Sequence, residues 1–181
     1  ASATPIGESA IAVVRVSGEL CQRLCKDALG FPYPTPRRST LARYLDINEC
    51  LIDDVIFVFY EAKKSYTGEP SLEISSHGNP LISKKIIEDL VVRGCRLAEP
   101  GEYTKRAFLS GRIDLTQAES VATLIKASSD RALEVARIQL RGDLGKKIRD
   151  LQSQLLDLQA NLEAYVDFPE EDLPAEDMKG P

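Results

Sequence analysis

The sequence holds one histidine, no tryptophan and four cysteines in 181 residues, and it contains no long apolar run. Cys21, Cys25, Cys50 and Cys95 form no Cys-x-x-Cys pair, and the lone His77 leaves too few ligands near it for a zinc site. With one histidine and unplaced partners there is also no basis for a Ser/His/Asp or Cys/His nucleophile. Cys21 and Cys25 stand four apart, the spacing of one helix face, and read as packing rather than chemistry. Reduced thiols of a cytoplasmic protein are the expectation. The longest apolar runs, such as Val55–Tyr60, are far too short to span a membrane, and no signal peptide is visible. The expectation is therefore no membrane partner. The chain starts at Ala1 with no Met, which is read as a trimmed or processed N-terminus with room for a missing leading strand.

What is present can bury a core: 43% of residues are hydrophobic and 28% charged. The net charge of −5 is uneven. Residues 163–181 hold one Lys and seven Asp/Glu, so the body is near neutral and the end is acidic. Such a body is not an obvious bulk nucleic-acid binder, and a local basic patch stays open.

Hydrophobic patterning predicts strands at Ala10–Val16, Leu41–Ile47, Val55–Tyr60, Leu72–Ser75 and Arg96–Ala98. It predicts helices over about 18–29, ending at Gly30, and from Pro80 to Arg93, with Ile82, Ile86 and Leu90 on one stripe. His77-Gly78-Asn79-Pro80 reads as a turn. The order β-α-β-β-β-α-β predicts an α+β fold, a mixed sheet with helices on one face. From Pro100 the pattern turns helical. A short helix ends near Gly111, and Asp114-x-x-Gln117 resembles a capping box opening a second one to about Ala127. Leu140, Leu144, Ile148, Leu151, Leu155, Leu158 and Leu162 then form a heptad-like stripe on a helix expected over about 130–166, interrupted by Gly142 and Gly145. A stripe of that length must be buried, and the short helix before it is not enough. The partner is a second copy, another protein or a later part of the same polypeptide, and the abrupt acidic end favours the last.

Gly142-Asp-Leu-Gly145-Lys146-Lys147 fails as a phosphate loop, because Leu140 stands where the first Gly belongs and Lys147 where Ser/Thr belongs. Three charged residues carry more interest. Arg15 and Glu73 lie on strands that also hold core residues, and Arg112 lies at the Gly111 break. Arg15 and Glu73 either face solvent or pair with each other, or they bind a ligand with an amide-like edge and an anionic tail. His77-Gly78 is either a plain turn or a ligand-facing element needing the room glycine leaves.

Ala3-Thr4-Pro5, Ile11–Gly18, Tyr66-Thr67-Gly68-Glu69, His77-Gly78, the run Pro100–Glu119, Ala127-Ser128-Ser129 and Asp167–Glu171 together resemble the N-terminal part of the MnmE (TrmE) tRNA-modification GTPases. The resemblance covers about residues 3–172. It implies a folate-binding and dimerisation domain over 1–113, similar to folate-binding aminomethyltransferases, and the first part of a split all-α helical-bundle domain over 114–181. It implies a 5-formyltetrahydrofolate-type cofactor contacted by Arg15, Glu73 and Arg112, the last where the family often has Lys. It implies a homodimer that, with the flavin-dependent MnmG (GidA), modifies C5 of the tRNA wobble uridine. GTP, Mg2+ and K+ would belong to a G domain outside this sequence, so this chain alone should not hydrolyse GTP. Two turns depart from the family pattern, with acidic Glu8 replacing a basic residue and Asn79 replacing Gly. The alternatives are a non-catalytic dimerisation scaffold without folate and a freestanding aminomethyltransferase.

Overall fold

The computed structural model describes residues 1–167. The stretch from Phe168 on, with most of the Asp-Phe-Pro-Glu-Glu motif, lies outside the described residues. The chain separates into two compact units, Ala1–Ala118 and Glu119–Pro181.

The first unit is built on four strands: β1 (Ser9–Ser17), β2 (Thr40–Leu45), β3 (Leu51–Tyr60) and β4 (Ser71–Gly78), in the spatial order β1-β4-β3-β2. Strict alternation sets the two faces. Val14, Ala42, Tyr44, Val55, Phe57, Phe59, Leu72 and Ile74 point inward and are buried. Helices α1 (Cys21–Leu29) and α2 (Pro80–Val92) cover them with Cys21, Leu24, Cys25, Leu29, Ile86 and Leu90. The α+β class stands. The two cysteines predicted to share a helix face are both buried in this core, and burial pushes each thiol up to about 12. Gly30 ends α1 with a left-handed φ of 77°.

Four expectations are corrected. Arg96–Ala98 forms no strand, because the outer edge of β1 is taken by the first residues of the chain: Ala3 N–H donates to Val13 O and Arg15 N–H to Ala1 O. Without that strand every ladder is antiparallel, where a mixed sheet was expected. β4 continues through the predicted turn, with His77 opposite Ile11 and Gly78 opposite Ser9. Finally, α1 begins at Cys21 rather than about 18, since residues 18–20 make a turn in which Cys21 N–H donates to Gly18 O.

Asn79 needs no left-handed backbone. It is extended, at φ −100°, and caps α2 by accepting from Leu81 N–H at 2.8 Å, with Pro80 at the first helical position. The one buried charge inside the unit is fully partnered: Asp89 accepts from Tyr44 Oη at 2.9 Å, Ile47 N–H at 2.8 Å and Arg93 Nε at 2.7 Å. This network ties α2 to the β2–β3 hairpin. α3 (Glu102–Leu109) belongs to the same unit, and its Tyr103 Oη donates to Arg15 O at 2.8 Å.

The capping box is realised at the start of α4 (Leu115–Lys126), Asp114 Oδ1 accepting from Gln117 N–H and Gln117 Oε1 from Asp114 N–H, both at 2.9 Å. Ser129 caps α5 (Asp130–Leu140), and α6 (Asp143–Asp167) follows. The single helix expected over 130–166 is thus two, parted at Gly142, whose φ of 79° no helix interior adopts. Gly145 lies inside α6. The predicted stripe is real and open: Leu144, Ile148, Leu151, Leu155, Leu158 and Leu162 are each between 46% and 66% exposed.

Candidate functional site

Register brings two of the predicted residues together. Arg15 on β1 is the direct cross-strand partner of Glu73 on β4, both on the face away from α1 and α2. Arg15 Nε donates to Glu73 Oε1 at 2.7 Å, the pairing that the sequence left open against ligand contact. The second carboxylate oxygen accepts from Tyr60 Oη at 3.2 Å. Partial burial first, and then Glu73, hold the Tyr60 phenol above its ordinary value, against the pull of Arg15 and Arg37.

These side chains line a half-open cavity of about 250 Å³ bordered by Tyr103 and by the Lys64–Thr67 loop with Tyr66. The loop is held from several sides. Thr67 is buried, with its hydroxyl 2.6 Å from that of Ser17 and its carbonyl accepting from Ser110 Oγ at 2.7 Å. Gly68 has a φ of +81°, and a Cβ there would stand 2.8 Å from Ser110 Oγ and 3.4 Å from Arg112 Cγ, so the Tyr-Thr-Gly-Glu motif requires glycine at its third place. Glu69 accepts from Ser17 Oγ at 3.0 Å and from Arg106 Nη1 at 2.7 Å. Arg106 continues to Glu102, which also takes a two-bond clamp from Arg96. Arg96 first, then the Glu99 backbone N–H and Arg106, hold the Glu102 carboxyl well below the usual carboxylate range.

Arg112 is not brought into this cavity. It is exposed, and its Nη1 donates to Lys63 O at 3.0 Å, placing it against the outside of the loop that carries Tyr66. Sequence reasoning missed Tyr60, Tyr103 and Arg106. Tyr60 shares the outward parity of Val58 and Ile56, but the strand register was needed to put it beside Glu73. His77 is also better placed than its sequence suggested. Asp53 accepts from both His77 N–H and Nδ1 at 2.8 Å, leaving the ring exposed on the sheet. The room at Gly78 is filled by the Ser9 backbone, which any side chain at 78 would overlap. Among the described residues, no group of three His/Cys/Asp/Glu could hold a metal ion, and no helix is long and apolar enough to cross a membrane.

The Arg15–Glu73 pair has spare capacity. Arg15 spends only Nε on Glu73, and its two terminal nitrogens bond no other described residue. Each Glu73 oxygen accepts one bond from the protein and can take another. The site can therefore accept two N–H groups and clamp an anion without breaking its own ion pair.

The charge-paired, tyrosine-walled cavity lies on an antiparallel α+β unit, and helices with an exposed apolar stripe follow it. Residues 1–112 match the family model of the GTP-binding protein TrmE N-terminus, and residues 115–180 that of the MnmE helical domain. The chain belongs to the MnmE (TrmE) family. It is 50% identical over 175 residues to the tRNA modification GTPase MnmE of Opitutus terrae, covering 97% of this chain and 38% of that protein. It is 47% identical to the MnmE of Aquifex aeolicus and 44% identical to that of Clostridioides difficile, each over 96% of this chain and 39% of the relative. The chain thus spans about two fifths of the length of these curated relatives.

Proposed function

We propose that this chain is the tetrahydrofolate-binding, dimerising part of a GTPase that, with the flavin-dependent MnmG (GidA), installs aminomethyl or carboxymethylaminomethyl groups at C5 of the tRNA wobble uridine. Residues 1–113 form the folate module and 114–181 begin the helical domain. GTP hydrolysis, with Mg2+ and K+, belongs to the remaining three fifths of the relatives' length, and the whole works in the cytoplasm.

The observation that carries the reading is the unsaturated Arg15–Glu73 pair at the cavity wall. A carboxylate with one free acceptor site on each oxygen matches the two parallel N–H groups of a pterin edge. The free nitrogens of Arg15, in the same ion pair, match a carbonyl oxygen of that ring beside the N–H groups. Tyr60, Tyr66 and Tyr103 supply flat walls for a ring. The cavity is smaller than the usual ~300–1,000 Å³ of a ligand pocket, which fits enclosure of the ring end alone. The tail then runs over the loop toward Arg112, whose remaining donors face solvent, and a second copy of the chain closes the rest. The folate, when bound, supplies the one-carbon unit, and the chain's residues bind and orient it.

The test is a calorimetric titration with 5-formyltetrahydrofolate, repeated on Glu73→Gln. Saturable binding that the substitution abolishes is expected, because Gln replaces one acceptor with a donor facing ligand N–H groups. Binding untouched by the substitution would put the ligand elsewhere, and no binding would favour a dimerisation scaffold. Sedimentation at tens of micromolar should show at least a dimer.

A further inference from the structure

The near-neutral body conceals one concentration of charge. Between Arg137 and Arg149, across the break at Gly142, stand five Lys/Arg against a single carboxylate, Asp143. Arg137, Arg141, Lys146, Lys147 and Arg149 are all exposed. The side chains of Arg137, Arg141, Lys146 and Lys147 make no ion pair among the described residues, although Glu134, Asp143 and Asp150 lie close in sequence.

Helix stability does not account for all of them. Arg137 and Arg141 sit at the C-terminal end of α5, where the helix dipole favours cations. Lys146 and Lys147 sit within the first turn and a half of α6, where the same dipole opposes them. Their positions cost the helix something and gain no ion-pair partner among the described residues. The left-handed Gly142 joins the two helix ends, so the cations of both gather at one elbow of the helical unit.

We infer that the α5–α6 elbow is a contact surface for the phosphodiester backbone of RNA. The choice of RNA rests on reading the chain as part of a tRNA-modifying protein; the charge cluster itself is independent of the folate site. Exposed guanidinium and ammonium groups with no base-reading scaffold give phosphate contact without sequence preference. The elbow therefore holds and orients the RNA, and discrimination between RNAs lies elsewhere.

The test is fluorescence anisotropy of the full chain with a labelled RNA hairpin of anticodon-arm size over a KCl series. It compares wild type, the quadruple variant Arg137→Gln/Arg141→Gln/Lys146→Gln/Lys147→Gln, and the charge-keeping Lys146→Arg/Lys147→Arg. Far-UV helicity confirms that each variant folds. The quadruple variant should lose about tenfold or more in affinity near 0.1 M salt, and its log–log salt slope should shrink by about three. The charge-keeping variant should match wild type. An unchanged slope, no RNA binding by wild type, or poly-L-glutamate binding as tightly as the hairpin would each overturn the inference, the last by making the partner an acidic polypeptide. Folate titration of the quadruple variant separates the two proposals. Wild-type folate affinity with weakened RNA binding supports the elbow, and salt-dependent RNA binding in a chain that takes no folate would sink the folate reading alone.

Discussion

Two apolar patterns in this chain meet opposite fates. In β3, Val55, Phe57 and Phe59 alternate and disappear beneath α1 and α2. In α6, Leu151, Leu155, Leu158 and Leu162 recur at heptad spacing and stay more than half exposed. Both patterns are equally regular, so regularity alone does not say whether a face is covered. The first unit also buries ionisable groups and satisfies them, as at Asp89, whereas the second sets exposed charges beside exposed leucines. The difference teaches that one apolar face is covered by its own unit, whereas the other is shaped for a surface that the described residues of its unit do not supply.

Alkaline pH should widen that difference most. The folded pKa of Cys21 and Cys25 is raised from 9.0 to about 12, so the unfolded thiols ionise first as pH rises. Their contribution is intact below pH 9 and drains between 9 and about 12, at roughly 1.4 kcal/mol per pH unit for each thiol. The helical unit has no cysteine. Circular dichroism across this range should show loss of the sheet signal at a pH where helix persists. Simultaneous loss of both would break the distinction between the units.

Next in size is Asp89→Ala, which takes the acceptor from the Tyr44 hydroxyl and from Arg93 Nε, in side chains 0% and 10% exposed, while Arg93 still donates to Leu45 O and Asp27 O. Removing one member of such a buried pair costs about 3–5 kcal/mol. Urea denaturation followed by tyrosine fluorescence measures it, and a loss under about 1 kcal/mol would mean that water replaces the carboxylate. Gly68→Ala should cost less, about 1–3 kcal/mol, from its left-handed backbone and the approach to Ser110. Because Gly68 shapes the loop over the cavity, folate affinity in calorimetry should fall as well. Full affinity after that substitution would show the loop to be unimportant for the ligand.

The contrast between the units also explains what was legible in the sequence. Strand and helix patterns followed from period-2 and period-3.6 spacing wherever one face is buried, as for β3 and α2. The capping box at Asp114–Gln117 was legible because its partners are three residues apart. What escaped depended on contacts distant in sequence. Arg96–Ala98 has strand composition, yet the edge it would join is filled by Ala1–Ala3. His77-Gly78 reads as a turn until the ladder to β1 and the bonds to Asp53 extend β4 through it. At the site, Arg15 and Glu73 were singled out as charges on core strands. Their mutual pairing belonged to one of the open readings, and it took the strand register to show it. Tyr60 and Tyr103 carry no local mark, since an aromatic residue in a strand or helix usually packs in a core.

The smallest expected effect is the sharpest test of the stripe. Leu155 is 66% exposed, whereas Ile86 is fully buried. Ile86→Ala should cost about 2–5 kcal/mol, from lost transfer energy and the cavity left behind. Leu155→Ala removes little buried surface and should stay within about 0.5 kcal/mol in thermal or urea melts at low protein concentration. Raising the concentration separates two meanings of a larger loss. A cost that grows with concentration places a second copy on the stripe, because association stabilises wild type by mass action and the alanine weakens it. A cost above about 1.5 kcal/mol that is independent of concentration places a cover within the same chain. In either case α6 would already be satisfied, and the stripe would no longer require a further surface.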